Sequence, residues 1–257
     1  MAKLVRCELF KAFRQKKPYL FMLILTAAEI AAVVQHRRGG ADGAVAEANG
    51  QSFPFLLLDG SAIFFPIFIA LLAADSIADE YRSGTLKQTL LCPIGRIALL
   101  NAKVASLAVL IAALLVYAIV SSYAVGTLAF GWGDRTDVRG NVFATLDGIG
   151  LAAQTLLLSW LPCLAFGLFV LFAAMLTMNA GAAVGTALGL TVLSHMVEGV
   201  PGIRDILLTH QMRAFPRLAA GGAAIPDAWA GLGVIAVYIG AFYAGSAIIL
   251  KKKDILN

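Results

Sequence analysis

Between Leu151 and Val197 the chain runs 47 residues without a single Asp, Glu, Lys or Arg. About 20 apolar residues cross the hydrocarbon of a bilayer, so this stretch is too long for one crossing and suits two. The only turn it offers is "LTMNAG", Leu176–Gly181, where Asn and Gly interrupt the apolar run. In lipid every backbone polar group must be paired within the protein, which leaves helices or closed barrels. A barrel would show short alternating segments. Composition agrees with helices: 60% of residues are hydrophobic and 14% charged, with a mean hydropathy of +0.84, against about 25% charged residues in soluble domains.

The expected fold is therefore an all-α polytopic membrane protein of 257 residues, a single transmembrane domain over 1–257. Residues 1–17 read as an amphipathic helix at the membrane surface. Leu4, Val5, Leu9, Ala12 and Phe13 share one face, with Lys3, Arg6, Lys11 and Arg14 interleaved around it. Six spans follow, at about 18–35, 53–78, 104–128, 154–176, 181–197 and 229–250. A cleaved leader is the competing reading of the N-terminus. The basic region is long for one, and the apolar run carries Glu29.

Six spans put both termini on one side. With the termini inside, thirteen of the 20 Lys and Arg are cytoplasmic and seven are outside, the bias expected of a cytoplasmic N- and C-terminus. The net charge of +5 is thus a matter of topology and membrane lipid, and nucleic acid is not an expected partner. The segments 36–52 and 129–150 read as polar outer loops. The segment 198–228 mixes Ile203, Ile206, Leu207, Leu208, Phe215 and Leu218 with arginines. It reads as short helices lying in or dipping into the outer interface, a re-entrant segment between spans five and six.

Catalytic signatures are missing. There is no G-x-x-x-x-G-K-[ST] phosphate loop, no H-E-x-x-H and no G-x-S-x-G. Cys7, Cys92 and Cys163 form no metal-binding or disulfide pattern. No catalytic residue, no metal and no cofactor of its own are expected. Glu29 lies deep in span one and is the main intramembrane acid, with Asp75 and Asp59 nearer the ends of span two. Such groups mark function or line the bundle. Gly181, Gly185 and Gly189 repeat every four residues in span five, as do Ala236, Gly240 and Ala244 in span six. Stripes of this kind admit close helix contact, within the subunit, in a dimer or along a pathway.

Between spans two and three lies "EYRSGTLKQTLLCPIGR", Glu80–Arg96. Ser83–Gly84–Thr85 breaks or re-caps the helix. A short helix then runs to Cys92, with Leu86, Leu90 and Leu91 on one side, and Pro93 ends it. A short amphipathic helix bracketed by breakers and held on two spans can transmit a push from a cytoplasmic partner.

This pattern resembles that of ABC-2 type permeases, on Glu80, Gly84, Thr85, Leu86, Leu90, Leu91, Pro93, Arg96 and Lys103. "ELFKAFRQKKPY" is similar to that family's basic connecting helix, and "FYAGSAIILKKKDIL" to its last span and basic tail. The resemblance implies a permease in a bacterial cytoplasmic membrane. Two permease subunits, identical or different, would pair with two P-loop ATPase subunits that bind the ATP and Mg. The helix from Thr85 to Cys92, with Tyr81 and Arg82 beside it, would couple the two, and 198–228 would cap the pathway. Relatives of this size export peptides, antibiotics, lipids or polysaccharide, or confer self-immunity. Two other readings stay open: an ion- or proton-coupled transporter using Glu29, and a membrane scaffold or enzyme with His36, Arg37 and Arg38 at one face.

Overall fold

The structure is a computed structural model describing residues 2–39, 49–55, 64–84, 95–138, 141–200, 202–219 and 225–252. Helix α1, Ala2–Arg14, bends at Gln15–Lys16 into α2, Lys17–Gly39. Pro18 sits in the first turn of α2, where its missing N–H costs nothing. Then come α3, Phe64–Arg82, and α4, Arg96–Phe130. Strands β1, Thr136–Val138, and β2, Asn141–Phe143, follow. The remaining helices are α5, Thr145–Thr177, α6, Ala180–Val197, α7, Leu208–Ala219, and α8, Ile225–Lys252, with a 3-10 turn at Arg204–Ile206 before α7.

Among the described residues, five helices are long and apolar enough to cross a membrane: Lys17–Arg38, Arg96–Phe130, Thr145–Thr177, Ala180–Val197 and Trp229–Lys251. They correspond to expected spans one, three, four, five and six. Expected span two is not among them. Part of it, with Asp59, lies outside the described residues, and its described part, α3, carries Asp75, Asp79, Glu80 and Arg82 in its last turns. The apolar portion of α3 from Phe64 to Ala74 is about 16 Å long, half a hydrocarbon thickness.

The α5–α6 hairpin follows the sequence expectation closely. Met178 adopts the left-handed conformation at φ 51°. Asn179 caps α6, its Oδ1 accepting from the N–H of Gly181 at 2.9 Å and of Ala182 at 3.3 Å. These bonds satisfy donors that a helix start leaves orphaned.

Helix α5 is central: α3, α4, α6, α7 and α8 all pack on it. The core runs through Ile69, Ala70 and Ala73 of α3, Leu107 and Ile111 of α4, Phe166, Val170 and Leu171 of α5, and Phe215 of α7. Alanines on α3 let the helices approach closely. Helix α2 packs separately, with Phe21 and Leu25 against Phe68, Leu72 and Leu114.

The ends of the bundle differ in chemistry. At one end lie α1, the C-terminus of α3, the N-terminus of α4, the α5–α6 turn and the C-terminus of α8. Arg96 donates to the carbonyls of Leu250 and Lys251, both at 3.0 Å, a basic group on the carbonyl end of α8. Met175 and Met178 line a small cavity there with Leu99, Leu100 and Leu250. At the other end the segment 129–150, expected to be a plain loop, forms an antiparallel hairpin pairing Thr136 with Phe143 and Val138 with Asn141. Residues 49–53 lock onto it. Gln51 donates to the Gly133 carbonyl at 2.6 Å and accepts from Thr136 Oγ1 at 2.8 Å. The N–H of Gly50 donates to the Gly131 carbonyl at 2.8 Å.

Candidate functional site

The sequence placed the working residues around a helix at 85–92. Thr85, Leu86, Leu90, Leu91 and Pro93 lie outside the described residues. Both ends of that segment are described, and they converge on a buried cluster of charge.

Glu80, in the last turn of α3, meets Lys103, two turns into α4, at 2.7 Å. Lys103 is 1% exposed. It also meets Glu8 of α1 at 3.1 Å and donates to the Ser76 carbonyl at 2.9 Å. Lys11, one turn on from Glu8, bonds Glu8 at 2.9 Å and Glu80 at 3.0 Å. Two carboxylates and two ammonium groups therefore alternate, and three helices are tied at one point. Beside them Lys17 bonds Asp75 at 2.5 Å and reaches Asp79 at 3.8 Å, while Arg82 holds Asp79 at 2.9 Å. An isolated ion in such a place would cost several kcal/mol in desolvation, so it persists only when paired.

Helix α1 therefore docks differently from a simple surface helix. Its inward residue is Glu8, 8% exposed, at the centre of the face that Leu4, Val5, Leu9, Ala12 and Phe13 form. Leu4 packs on the main core, and Phe10 points away. Glu8 is the lone acid in a basic helix, a signal present in the sequence but without an assigned partner, since Lys103 lies 95 residues away.

Burial pushes the Glu8 carboxyl up, but Lys103 and Lys11 outweigh it and hold it below the usual carboxylate range. For Lys11, burial works downward and the bonds to Glu8 and Glu80 prevail, raising it. A carboxyl whose folded value is depressed stabilises docking above its unfolded value, about pH 4.3, and that contribution is lost as pH falls through the lower folded value. Nitroxide spin labels attached at neutral pH to Leu4→Cys or Ala12→Cys, with Cys7 replaced by Ser, should stay immobile down to about pH 4.5 and gain mobility below it.

Arg82 and Tyr81 are exposed at the same end, and Gly84 ends α3. Gly84 has φ +72° with open space around it, so its role is conformational: it turns the chain out of the helix into 85–94. Arg96, on the far side of that segment, ties it to α8 as described. Glu80, Tyr81, Arg82, Gly84 and Arg96 are thus brought to one end of the bundle.

The other expected residues lie elsewhere. Glu29, on α2, is 4% exposed and accepts from Ser121 and Ser122 of α4 at 2.8 Å each through Oε1, while Oε2 has no partner. Ser121 is about 27 Å along α4 from Lys103. The glycine stripe lies on the unpacked side of α6 within this subunit. Intrasubunit packing on α6 uses Ala183, Ala187 and Ser194. Gly185 and Gly189 face open space, and Gly181 meets only Asn179 of its own cap. Ala236, Gly240 and Ala244 of α8 are exposed as well. Period four selects a stripe but not the side that packs. Among the described residues no His, Cys, Asp and Glu group could hold a metal ion.

A bundle with five membrane-length helices among the described residues, an ion-paired basic N-terminal helix and an α3–α4 pair clamped beside a breaker-flanked connection defines an integral membrane protein. The family model for ABC-2 family transporter protein matches residues 4–192, from α1 through most of α6, and the chain belongs to that family. Comparison with curated proteins found no match.

Proposed function

We propose that this chain is the permease subunit of an ABC exporter, forming the substrate pathway while a separate P-loop ATPase supplies the energy. The observation that carries this reading is the Glu8–Lys103–Glu80 cluster. It joins α3, α4 and α1 beside both ends of 85–94, so a force applied to that segment acts on the helices as one lever. Alternating access needs such a rigid link between a remote site and the membrane helices. In this reading 85–92 is the coupling helix and seats on the ATPase, two ATPase copies serve two permease subunits, and ATP and Mg stay on the ATPase. Both termini face the cytoplasm of a bacterial inner membrane, and 53–78 is span two, which brings the number of spans to six.

The 198–228 segment supports a re-entrant cap. Tyr238 of α8 donates to the Ile206 carbonyl at 3.2 Å. Tyr238 lies about 13 Å of helix inside Trp229, where span six begins. That bond holds the 3-10 turn against α8, and it is the contact that supports the re-entrant reading.

A second reading, proton-coupled transport, rests on the buried Glu29 with its unpartnered Oε2. The two readings part on one experiment. Ser121 and Ser122 can each donate instead to the Ala118 carbonyl, at 3.2 and 2.6 Å, so replacing Glu29 orphans neither hydroxyl. Glu29→Gln and Glu29→Leu should leave ATP-driven uptake into inverted vesicles within about twofold of wild type. Loss of uptake in Glu29→Gln, together with loss on collapsing the proton gradient, would favour the second reading.

A further inference from the structure

Between α7, the 3-10 turn and the first turns of α8 lies a cavity of about 560 Å³. This is the size of a small-ligand pocket, within the usual ~300–1,000 Å³. Its position along the membrane follows from α8. Ala230 and Val234 line it, and they lie about 24–30 Å of helix from Leu250, whose carbonyl Arg96 caps. That is one hydrocarbon thickness. The cavity therefore opens at the interface opposite the α1–Lys103 cluster, among the headgroups of that leaflet.

Its lining has two halves. One is apolar: Phe215, fully buried, with Leu218, Gly231 and Val234. Gly231 sets the closeness of the two helices, since a Cβ there would come within 2.7 Å of Phe215 Cε2. The other half carries Arg204, Arg217, His210, Gln211 and Asp205. Nearby charge is already partly committed. Glu198 bonds His210 at 2.8 Å and also Arg213, and Gln211 donates to the Asp205 carbonyl at 2.5 Å. Arg204 Nε lies 3.4 Å from His210 Nδ1, but that nitrogen donates its proton to Glu198 and has no lone pair left to accept one from Arg204. Among the described residues no carboxylate lies within ion-pair distance of it. Charged groups held at membrane level beside a cavity point to a ligand, and guanidinium groups suit the oxygens of phosphate.

We propose that this cavity binds the phosphate-bearing headgroup of an anionic membrane amphiphile, with Arg204 on the phosphate, Arg217 adding positive charge to the same wall, and the first carbons of its tail against Phe215 and Val234. An amphiphile fits better than a free anion because half of the wall is apolar and α8, mostly unburied in this chain, opens that side to lipid. Naming the leaflet the outer one rests on the permease reading; the site itself does not.

The test is native mass spectrometry of the full chain in a neutral maltoside detergent. The probes are dioctanoyl phosphatidylglycerol, dioctanoyl phosphatidylcholine and inorganic phosphate. Wild type should retain one phosphatidylglycerol, bind phosphatidylcholine at least tenfold more weakly, and keep its lipid against excess phosphate. Arg204→Gln/Arg217→Gln should lose at least tenfold in phosphatidylglycerol affinity, Arg204→Lys/Arg217→Lys should recover part of it, and Val234→Trp, which fills the cavity without touching charge, should also lose it. Circular dichroism and monodispersity confirm that each variant is folded. Equal binding of the two lipids, or unchanged binding in both the Gln and the Trp variants, overturns the proposal. Displacement by phosphate alone assigns a free-anion site and overturns the amphiphile. No ATPase is present, so this result is independent of whether one co-purifies with the chain.

Discussion

Lys103→Ala should cost about 3 kcal/mol, the largest effect of any single substitution, because it removes the buried partner of Glu8 and Glu80 and leaves the half-exposed Lys11 alone to hold both carboxylates. The loss exceeds that of an ordinary surface ion pair, about 0–1 kcal/mol, because Lys103 is buried and bonds three groups at once. Thermal unfolding in detergent should show it as a drop of several degrees or more, with the variant enriched in aggregates. A triple variant, Glu8→Gln/Lys103→Met/Glu80→Gln, removes all three buried charges together and should recover at least half of the lost stability, since the one ion then left without its partners, Lys11, is half-exposed and stays hydrated. If Lys103→Ala unfolds like wild type, the cluster holds nothing together.

Gly50→Ala should be the second largest, about 2–3 kcal/mol, at the upper part of the usual range for overpacking. An added Cβ would sit 2.7 Å from the Gly131 carbonyl oxygen and 2.9 Å from Thr127 Cα. Both are backbone atoms, which cannot swing aside as a side-chain end can. The bond from the Gly50 N–H to that carbonyl would open too, and with it the seat of Gln51 and Thr136. The matched control is Gly95→Ala. Gly95 has φ −59° and nothing within 4 Å of an added Cβ, so alanine there should be neutral or raise stability by up to about 1 kcal/mol. Thermal unfolding of the two variants side by side gives the comparison. Equal behaviour of the pair would contradict the packing at the hairpin end.

Much of the fold was legible because its strongest signals are local. The charge-free run from Leu151 to Val197 forces two crossings, and Asn179 marks the turn by a capping bond it makes with its own helix. The breaker at Ser83–Gly84 was equally readable, since a positive φ favours glycine. What escaped depends on partners far apart in the sequence. Strands of three residues, Thr136–Val138 and Asn141–Phe143, are too short to show a period, and they are held by Gln51 and Ser52, about 85 residues upstream. Helix α4 starts at Arg96, whereas the apolar run suggested 104, because its first turns are packed by Leu99 and Leu100 against α3 and α5 while their polar neighbours mask the run. Glu8 is a lone acid on a basic helix, and its buried partner Lys103 lies 95 residues on. The glycine stripe of α6 showed the opposite limit: the pattern was real, and the packing used its neighbours Ala183 and Ala187.

The cluster also gives the coupling proposal its physical content. A segment hinged at Gly84 and Arg96 could move freely if α3 and α4 were independent. Clamped through Lys103, they have to move together, and α1 with them. The same clamp ties the lever to α8 through Arg96, so span six shares in any displacement at that end.

The central claim, that another protein drives this one through residues 85–92, is tested most directly by co-purification from native membranes in mild detergent. Wild type is compared with Leu86→Asp/Leu90→Asp, both shown to be folded and membrane-inserted, and the co-purifying proteins are identified. The account predicts that a P-loop ATPase accompanies wild type and is lost from the double variant. Absence of any ATPase across several detergents, or an ATPase held equally by both, would contradict it.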